Sequence, residues 1–239
     1  MGDLCLESIK RNAEKRKMAN TPTYAVQDYL KAIHSLGGDG GMVSTVEIAA
    51  KLQVRAPSVT GMLKRLAEAG WISYESGKGA QLTKQGIAEA RRVIRRHRLV
   101  ELFLHRVLGI DWSEVDAEAE ALEHAISPRI EQAIAAHLGE PLEDPHGHPI
   151  PTSEGKMTPR VLQRLNQFPA GMTVLIREAQ DDNPDRLRRW QVLGLTPGAI
   201  VHILSYQPLD DLYEIRLADR IITLGSEGLA GLRGEALEK

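Results

Sequence analysis

The hydrophobic period changes once along this chain, and that change limits the architectures open to it. From residue 24 to about residue 138, apolar residues recur at helical spacing. From about residue 165 they alternate, in MTVLIREA, AIVHILSY and LYEIRLADRIITL, with Gly and Pro turns between the runs. A helical stripe and a pleated strand bury their apolar faces in different ways, so one bundle or one sheet cannot use both halves. The 239 residues are therefore expected to form a multidomain protein, mainly α with a C-terminal all-β module.

Within the helical part, punctuation marks the elements. YAVQDYLKAIHSL stops at Gly37-Gly38, and Ser44 or Thr45 caps TVEIAAKLQV, with Glu47 spaced for a capping box. A break at Val54-Arg55-Ala56 leads into PSVTGMLKRLAEAG, where Pro57 suits a first helical turn and Gly70 a stop. WISYE and AQLT follow, joined by Ser76-Gly77-Lys78-Gly79 as a hairpin. Helix, turn, helix, hairpin is the order of a winged helix-turn-helix, assigned to residues 21–90. Its second helix is expected to enter the major groove of double-stranded DNA, presenting Arg55, Pro57, Ser58, Thr60, Lys64 and Arg65, with Lys78 of the wing on neighbouring backbone. The competing reading is a small helical domain with a basic, solvated face. The full succession of helices, turn and wing favours DNA.

Charge agrees with that division. Residues 1–110 carry 18 Lys+Arg against 10 Asp+Glu, and the remainder 12 against 22, within an overall net of −2. A basic first half suits a polyanion, and an acidic second half suits cations or simple solvation. The single cysteine, Cys5, excludes disulfides and thiolate metal cages and fits a reducing cytoplasm. No apolar run approaches the ~20 residues of a membrane span. Residues 1–20 read as a polar extension without the apolar segment of a secretory signal, and Met18 is an alternative start.

Residues 91–150 form the expected helical middle domain. A long helix runs from about Lys84 to Leu108 through ARRVIRRHR, followed by helices over 113–126 and 128–138, and surplus apolar faces suit a homodimer. Residues 141–164, including DPHGHPIP, read as a linker to a barrel-like domain over 165–239, which carries one short helix near DRLRRWQVLGL. In EAEALEHAIS, Glu120, Glu123 and His124 fall at i, i+3 and i+4, sharing one helical face. His97 and Glu101 repeat the i, i+4 pairing, and Asp116 lies four residues before Glu120. Carboxylates with imidazole suit Mn²⁺ or Fe²⁺. A lone Glu–His pair is more often a solvated face, but two such pairs on consecutive helices favour a metal. A metalloenzyme is the rival reading, weakened by the absence of a Gly-rich phosphate loop, G-x-S-x-G or H-E-x-x-H.

Taken in order, these motifs resemble the diphtheria-toxin-repressor family of metal-dependent transcriptional regulators, from about Thr23 to Pro151 and more loosely beyond. RRHRLVELFL, EALEHAIS and PHGHPIP carry the likeness, the last with His148 where the family pattern has Asn. The resemblance implies an SH3-like C-terminal barrel, a homodimer on a palindromic operator, and two metal sites. It places the primary site at Asp28, Glu120, Glu123 and His124, and the ancillary site at His97, Glu101 and Asp116, with Asp182 or Asp185 as candidates from the β domain. Oxygen ligands at 28 and 120 match the manganese-type members, whose counterparts of the iron type carry sulfur there; Asp116 likewise stands for a histidine of the iron type. Lys31 departs from a manganese-type ligand glutamate. The implied function is a repressor of manganese or iron homeostasis genes, activated by Mn²⁺, with an iron-responsive repressor as the alternative.

Overall fold

The computed structural model describes residues 22–158, 160–180 and 183–237. The expected N-terminal extension, Met18 included, and the candidate ligand Asp182 lie outside the described residues. The chain divides into two compact units, Met1–Val93 and Ile94–Lys239.

The first unit holds α1 (Tyr24–Gly37), α2 (Thr45–Lys51), α3 (Ala56–Glu68), β1 (Ile72–Glu75), β2 (Gly79–Leu82) and the start of α4 (Lys84–Arg106). Its boundaries follow local chemistry. The Ser44 hydroxyl accepts from the Glu47 N–H, and the Glu47 carboxylate accepts from the Ser44 N–H, so two otherwise unpaired donors at the start of α2 are satisfied. Pro57 sits in the first turn of α3, where a missing N–H costs nothing. β1 and β2 pair antiparallel from Ile72–Leu82 to Glu75–Gly79, and Val43 adds a bridge to Ala80. Leu30, Ile33, Ile48, Val59, Leu63, Leu66 and Trp71 make the core that sets the two helices of the motif against the wing.

The second unit continues along α4 and adds α5 (Val115–Leu122), α6 (Pro128–His137) and a six-stranded antiparallel sheet. The sheet consists of β3 (Gln163–Arg164), β4 (Thr173–Ala179), β5 (Ile200–Gln207), β6 (Leu212–Leu217), β7 (Arg220–Gly225) and β8 (Leu232–Ala236), in the order β3-β8-β4-β5-β6-β7. A further helix, α7 (Pro184–Leu193), precedes β5 and ends at the left-handed Gly194. Leu99, Leu102, Ile134, Ala135 and Ile150 pack α4 against α6, while Val100, Leu104, Val115 and Ala119 pack it against α5. Inside the β module, Val174, Ile176, Val201, Ile203, Ile215 and Trp190 are joined by Trp112, a residue from the α4–α5 connection.

Three expectations change. LYEIRLADRIITL is two strands, turning at Ala218-Asp219. The helix expected over 113–126 is only Val115–Leu122, so Glu123 is its C-cap and His124 lies in the following turn. Residues 141–151 are not a slack linker. Arg98 and Arg95 of α4 donate to the carbonyls of Pro149 and Pro151, and Asp144 and His146 are buried. β3 and β8 were not expected from the sequence. In β8 the glycine that breaks the pattern is obligatory, because a Cβ on Gly234 would lie 2.4 Å from the Leu175 carbonyl oxygen.

Candidate metal centre and nucleic-acid face

Helix α3 turns Val59, Leu63 and Leu66 inward, which leaves its other face to solvent. Arg55, Pro57, Ser58, Lys64 and Arg65 are exposed there. Thr60 is half-buried and its hydroxyl donates to the Ala56 carbonyl at 3.2 Å, so it serves the helix backbone first. Gly61 has nothing near the space a side chain would fill, so the face has room for a bulky partner at that point. Lys78 stands exposed in the β1–β2 turn but already pairs with Glu75 at 2.7 Å.

In the second unit the ligand-capable groups converge on His97. Its Nδ1 lies 2.6 Å from Glu123 Oε2 and 3.7 Å from Glu120 Oε2. Its Nε2 lies 3.2 Å from Asp116 Oδ1 and 3.7 Å from Glu101 Oε2. Glu123 is fully buried, and its other oxygen lies 3.4 Å from His124 Nε2. Asp116 and Glu120 remain exposed, which leaves the cluster open on one side. His97, Glu120 and Glu123 form one group that could hold an ion, and His97, Glu101 and Asp116 another. His97 stands in both of these groups, beside Glu120 and Glu123 of the expected primary set and beside Glu101 and Asp116 of its own expected ancillary set. Asp28 lies half-buried on α1, in the first unit. Asp185 is exposed and paired with Arg188 at 3.2 Å.

The arginines flanking His97 hold this geometry. Arg96 donates to the Glu123 carbonyl at 3.1 Å and pairs with Glu131 at 3.2 Å, which ties the end of α5 to α6. Arg95 pairs with the same Glu131 at 3.4 Å. Both arginines are buried.

Sequence reasoning missed a third group, Asp144, His146 and His148. Asp144 accepts from the backbone N–H of His146 at 2.8 Å and of His148 at 2.9 Å, and its second oxygen faces the His148 ring at 3.1 Å. Burial opposes its charge, but His148, Arg98 and His146 outweigh burial and hold its pKa well below the usual carboxylate range. Burial likewise works against charging His146, yet Glu101, Asp144 and the Trp112 carbonyl raise its pKa above the ordinary value. The signal available in the sequence was the density of PHGHPIP itself, two histidines just after an aspartate.

Family models for the iron dependent repressor match residues 23–80, as its N-terminal DNA binding domain, and residues 83–152, as its metal binding and dimerisation domain. The chain is 30% identical to the iron-dependent repressor IdeR of Mycobacterium leprae over 187 residues, which span 73% of this chain and 81% of that protein. The chain belongs to the diphtheria-toxin-repressor family. It is a metal-dependent, DNA-binding transcriptional regulator, and the metalloenzyme reading falls with that membership. A FeoA domain model matches residues 163–231, the SH3-like module. The HTH-type transcriptional regulator MntR of Lysinibacillus sphaericus is 34% identical over 106 residues, 44% of this chain and 76% of that one. A solved manganese-dependent transcriptional repressor in complex with manganese superposes with a TM-score of 0.82 at 32% identity, covering 89% of this chain and all of that one. Among the described residues no helix is long and apolar enough to cross a membrane.

Proposed function

We propose that the chain is a Mn²⁺-activated repressor of metal homeostasis genes. The donor set is the observation that supports it most: Glu120, Glu123, His124, His97, Glu101 and Asp116 supply carboxylate oxygen and imidazole nitrogen, with no sulfur. Hard oxygen donors favour Mn²⁺ over the softer ions. Glu120, Glu123 and His124 form the primary site, with Asp28 assigned to it on the family resemblance, and His97, Glu101 and Asp116 form the ancillary site. Divalent charge there offsets the buried Glu123 carboxylate. The domain division 1–20, 21–90, 91–150 and 165–239 follows from this assignment. As a homodimer in the cytoplasm, the protein would set two α3 helices about one DNA turn apart, ~34 Å, on a palindromic operator. Ser58, Thr60, Lys64, Arg65 and Arg55 meet the groove, Pro57 starts the helix at its edge, and Lys78 meets the backbone.

An iron-responsive repressor is the second reading, because IdeR, named for iron, matches a larger share of the chain than MntR does. A mobility-shift titration on the chain's own intergenic duplex, with Mn²⁺, Fe²⁺, Zn²⁺ and chelator in parallel, decides between them. Mn²⁺ is expected to tighten binding most, and equal binding in chelator would overturn the metal dependence of this site. In the same assay Glu123→Ala should abolish metal stimulation; retained stimulation removes Glu123 from the site. Glu120→Cys adds a soft thiolate and should shift the ranking toward Fe²⁺ or Co²⁺, whereas an unaltered ranking would refute its role as the selective ligand.

A further inference from the structure

The outer face of the β module carries charge that the fold itself leaves unpaired. Along β4, β5 and β6, Val174, Val201, Ile203 and Ile215 point into the core. Thr173, His202 and Arg216 alternate with them and lie on the opposite side of the sheet. Thr173 stands in register with His202, and His202 with Arg216, so the strands place these side chains in one row. Arg216 is exposed and has no acidic partner among the described residues. Carboxylates of the neighbouring strands are already engaged, Glu214 by the Ser205 hydroxyl at 3.1 Å and Glu235 by Arg177 at 2.6 Å. A cation facing an imidazole does not strengthen the pairing of β5 with β6, as opposite charges would.

His202 is held from its other side. Thr173 Oγ1 lies 2.9 Å from His202 Nδ1. A hydroxyl can donate or accept, so it serves the neutral ring with its proton on Nε2 and the imidazolium alike. In either form Nε2–H is a donor without a partner among the described residues. Thr173, His202 and Arg216 line an open cavity of about 510 Å³, a volume usual for small-ligand sites. Ile200, Leu217, Ala218 and Gly198 complete its wall with apolar surface. Ile200 is 52% exposed, an apolar side chain left in water beside these donors.

One permanent cation matches a single negative charge better than the double charge of a phosphate. The guanidinium fork fits both oxygens of a carboxylate, and the imidazole N–H can add a further bond. The wall then calls for an apolar body behind the charged group. We propose that this cavity binds a small organic acid, its carboxylate held by Arg216 and His202 and its apolar part lying against Ile200 and Leu217. The site shares no residue with the metal and DNA assignments.

Benzoate is the probe, titrated into the full-length, metal-stripped protein so that its carboxylate cannot act through a bound ion. The histidine ring signals are followed by NMR, and His202→Gln identifies the His202 signal by its loss. Benzoate should shift that signal saturably, and a signal that benzoate leaves unmoved would overturn the site. Arg216→Gln should weaken benzoate by on the order of 10-fold, as loss of a hydrogen bond to a charged group does. Arg216→Lys keeps the charge and should lose less. Unchanged affinity in Arg216→Gln, or benzyl alcohol binding as tightly as benzoate, would overturn recognition of the carboxylate. Inorganic phosphate should bind more weakly than benzoate, and equal binding would overturn the organic-acid class. Thermal melting checks each variant. If Arg216→Gln lowers the melt, Ile200→Ser decides instead: it should weaken benzoate and leave phosphate unaffected, and unaltered benzoate binding there would overturn the placement of the apolar part.

Discussion

Two cationic stretches of this chain look alike as sequence and behave oppositely as structure. In α3, Arg55, Lys64 and Arg65 stand exposed, while Val59, Leu63 and Leu66 hold the helix from behind. In α4, Arg95 and Arg96 are buried, and their guanidinium groups are committed to Glu131 and to the carbonyls of Pro151 and Glu123. All five side chains enter the basic count of the first half, but of these only Arg55, Lys64 and Arg65 offer their charge to a polyanion. Net charge by segment measures what a chain contains, and burial decides what a partner meets. Arg96 instead fixes the backbone at Glu123, and Arg95 fixes it at Pro151.

The largest effect that separates the two stretches is on stability. Arg96→Ala leaves the half-buried Glu131 without one of its partners and the Glu123 carbonyl without this donor. It should cost about 3 kcal/mol, in line with removing one member of a buried pair. Urea denaturation of the metal-stripped protein measures it, and a cost under about 0.5 kcal/mol, typical of an open surface, would erase the distinction. Arg65→Ala is expected to fall within that surface range.

The next effect is on DNA. Arg65→Ala should weaken operator binding with little dependence on the metal and lower the slope of log K against log salt by about 0.9 if Arg65 meets a phosphate. Fluorescence anisotropy across a salt series reads both quantities. Unchanged affinity and slope would mean that the exposed face of α3 is not the one that meets the duplex.

How far these roles were legible depends on the range of the interactions. The Ser44–Glu47 box, Pro57 and the 72–82 hairpin are set by neighbours a few residues apart, so residue identity and spacing suffice. Glu120 and Glu123 both reach His97 although α5 ends at Leu122, because Glu123 keeps helical torsions (φ −56°, ψ −33°) as the C-cap. The approach of Glu120 and Glu123 to His97 was not legible, since those partners come from α5 and its C-cap. Nor was His146, whose Pro-rich segment has the composition of a linker. Its burial comes from contacts with Trp112 and Ala179, which no local pattern encodes. Helical arginines paired through tertiary contacts are invisible for the same reason.

Lys78 lies between the two cases and gives the finest test. It is exposed like Arg65, yet its ammonium is 2.7 Å from Glu75, three residues back on the same hairpin. To meet a phosphate, Lys78 must exchange that pairing for a new one, and an exposed pair of this kind contributes only about 0.2–1 kcal/mol. Glu75→Gln should therefore tighten duplex binding by no more than about 1 kcal/mol, most visibly at low salt, where the repulsion between Glu75 and DNA is least screened. Lys78→Ala should weaken binding less than Arg65→Ala does, because part of the lysine's charge is already offset. If Glu75→Gln leaves affinity unchanged at every salt concentration, the wing does not approach the backbone, and the DNA-binding face narrows to α3 alone.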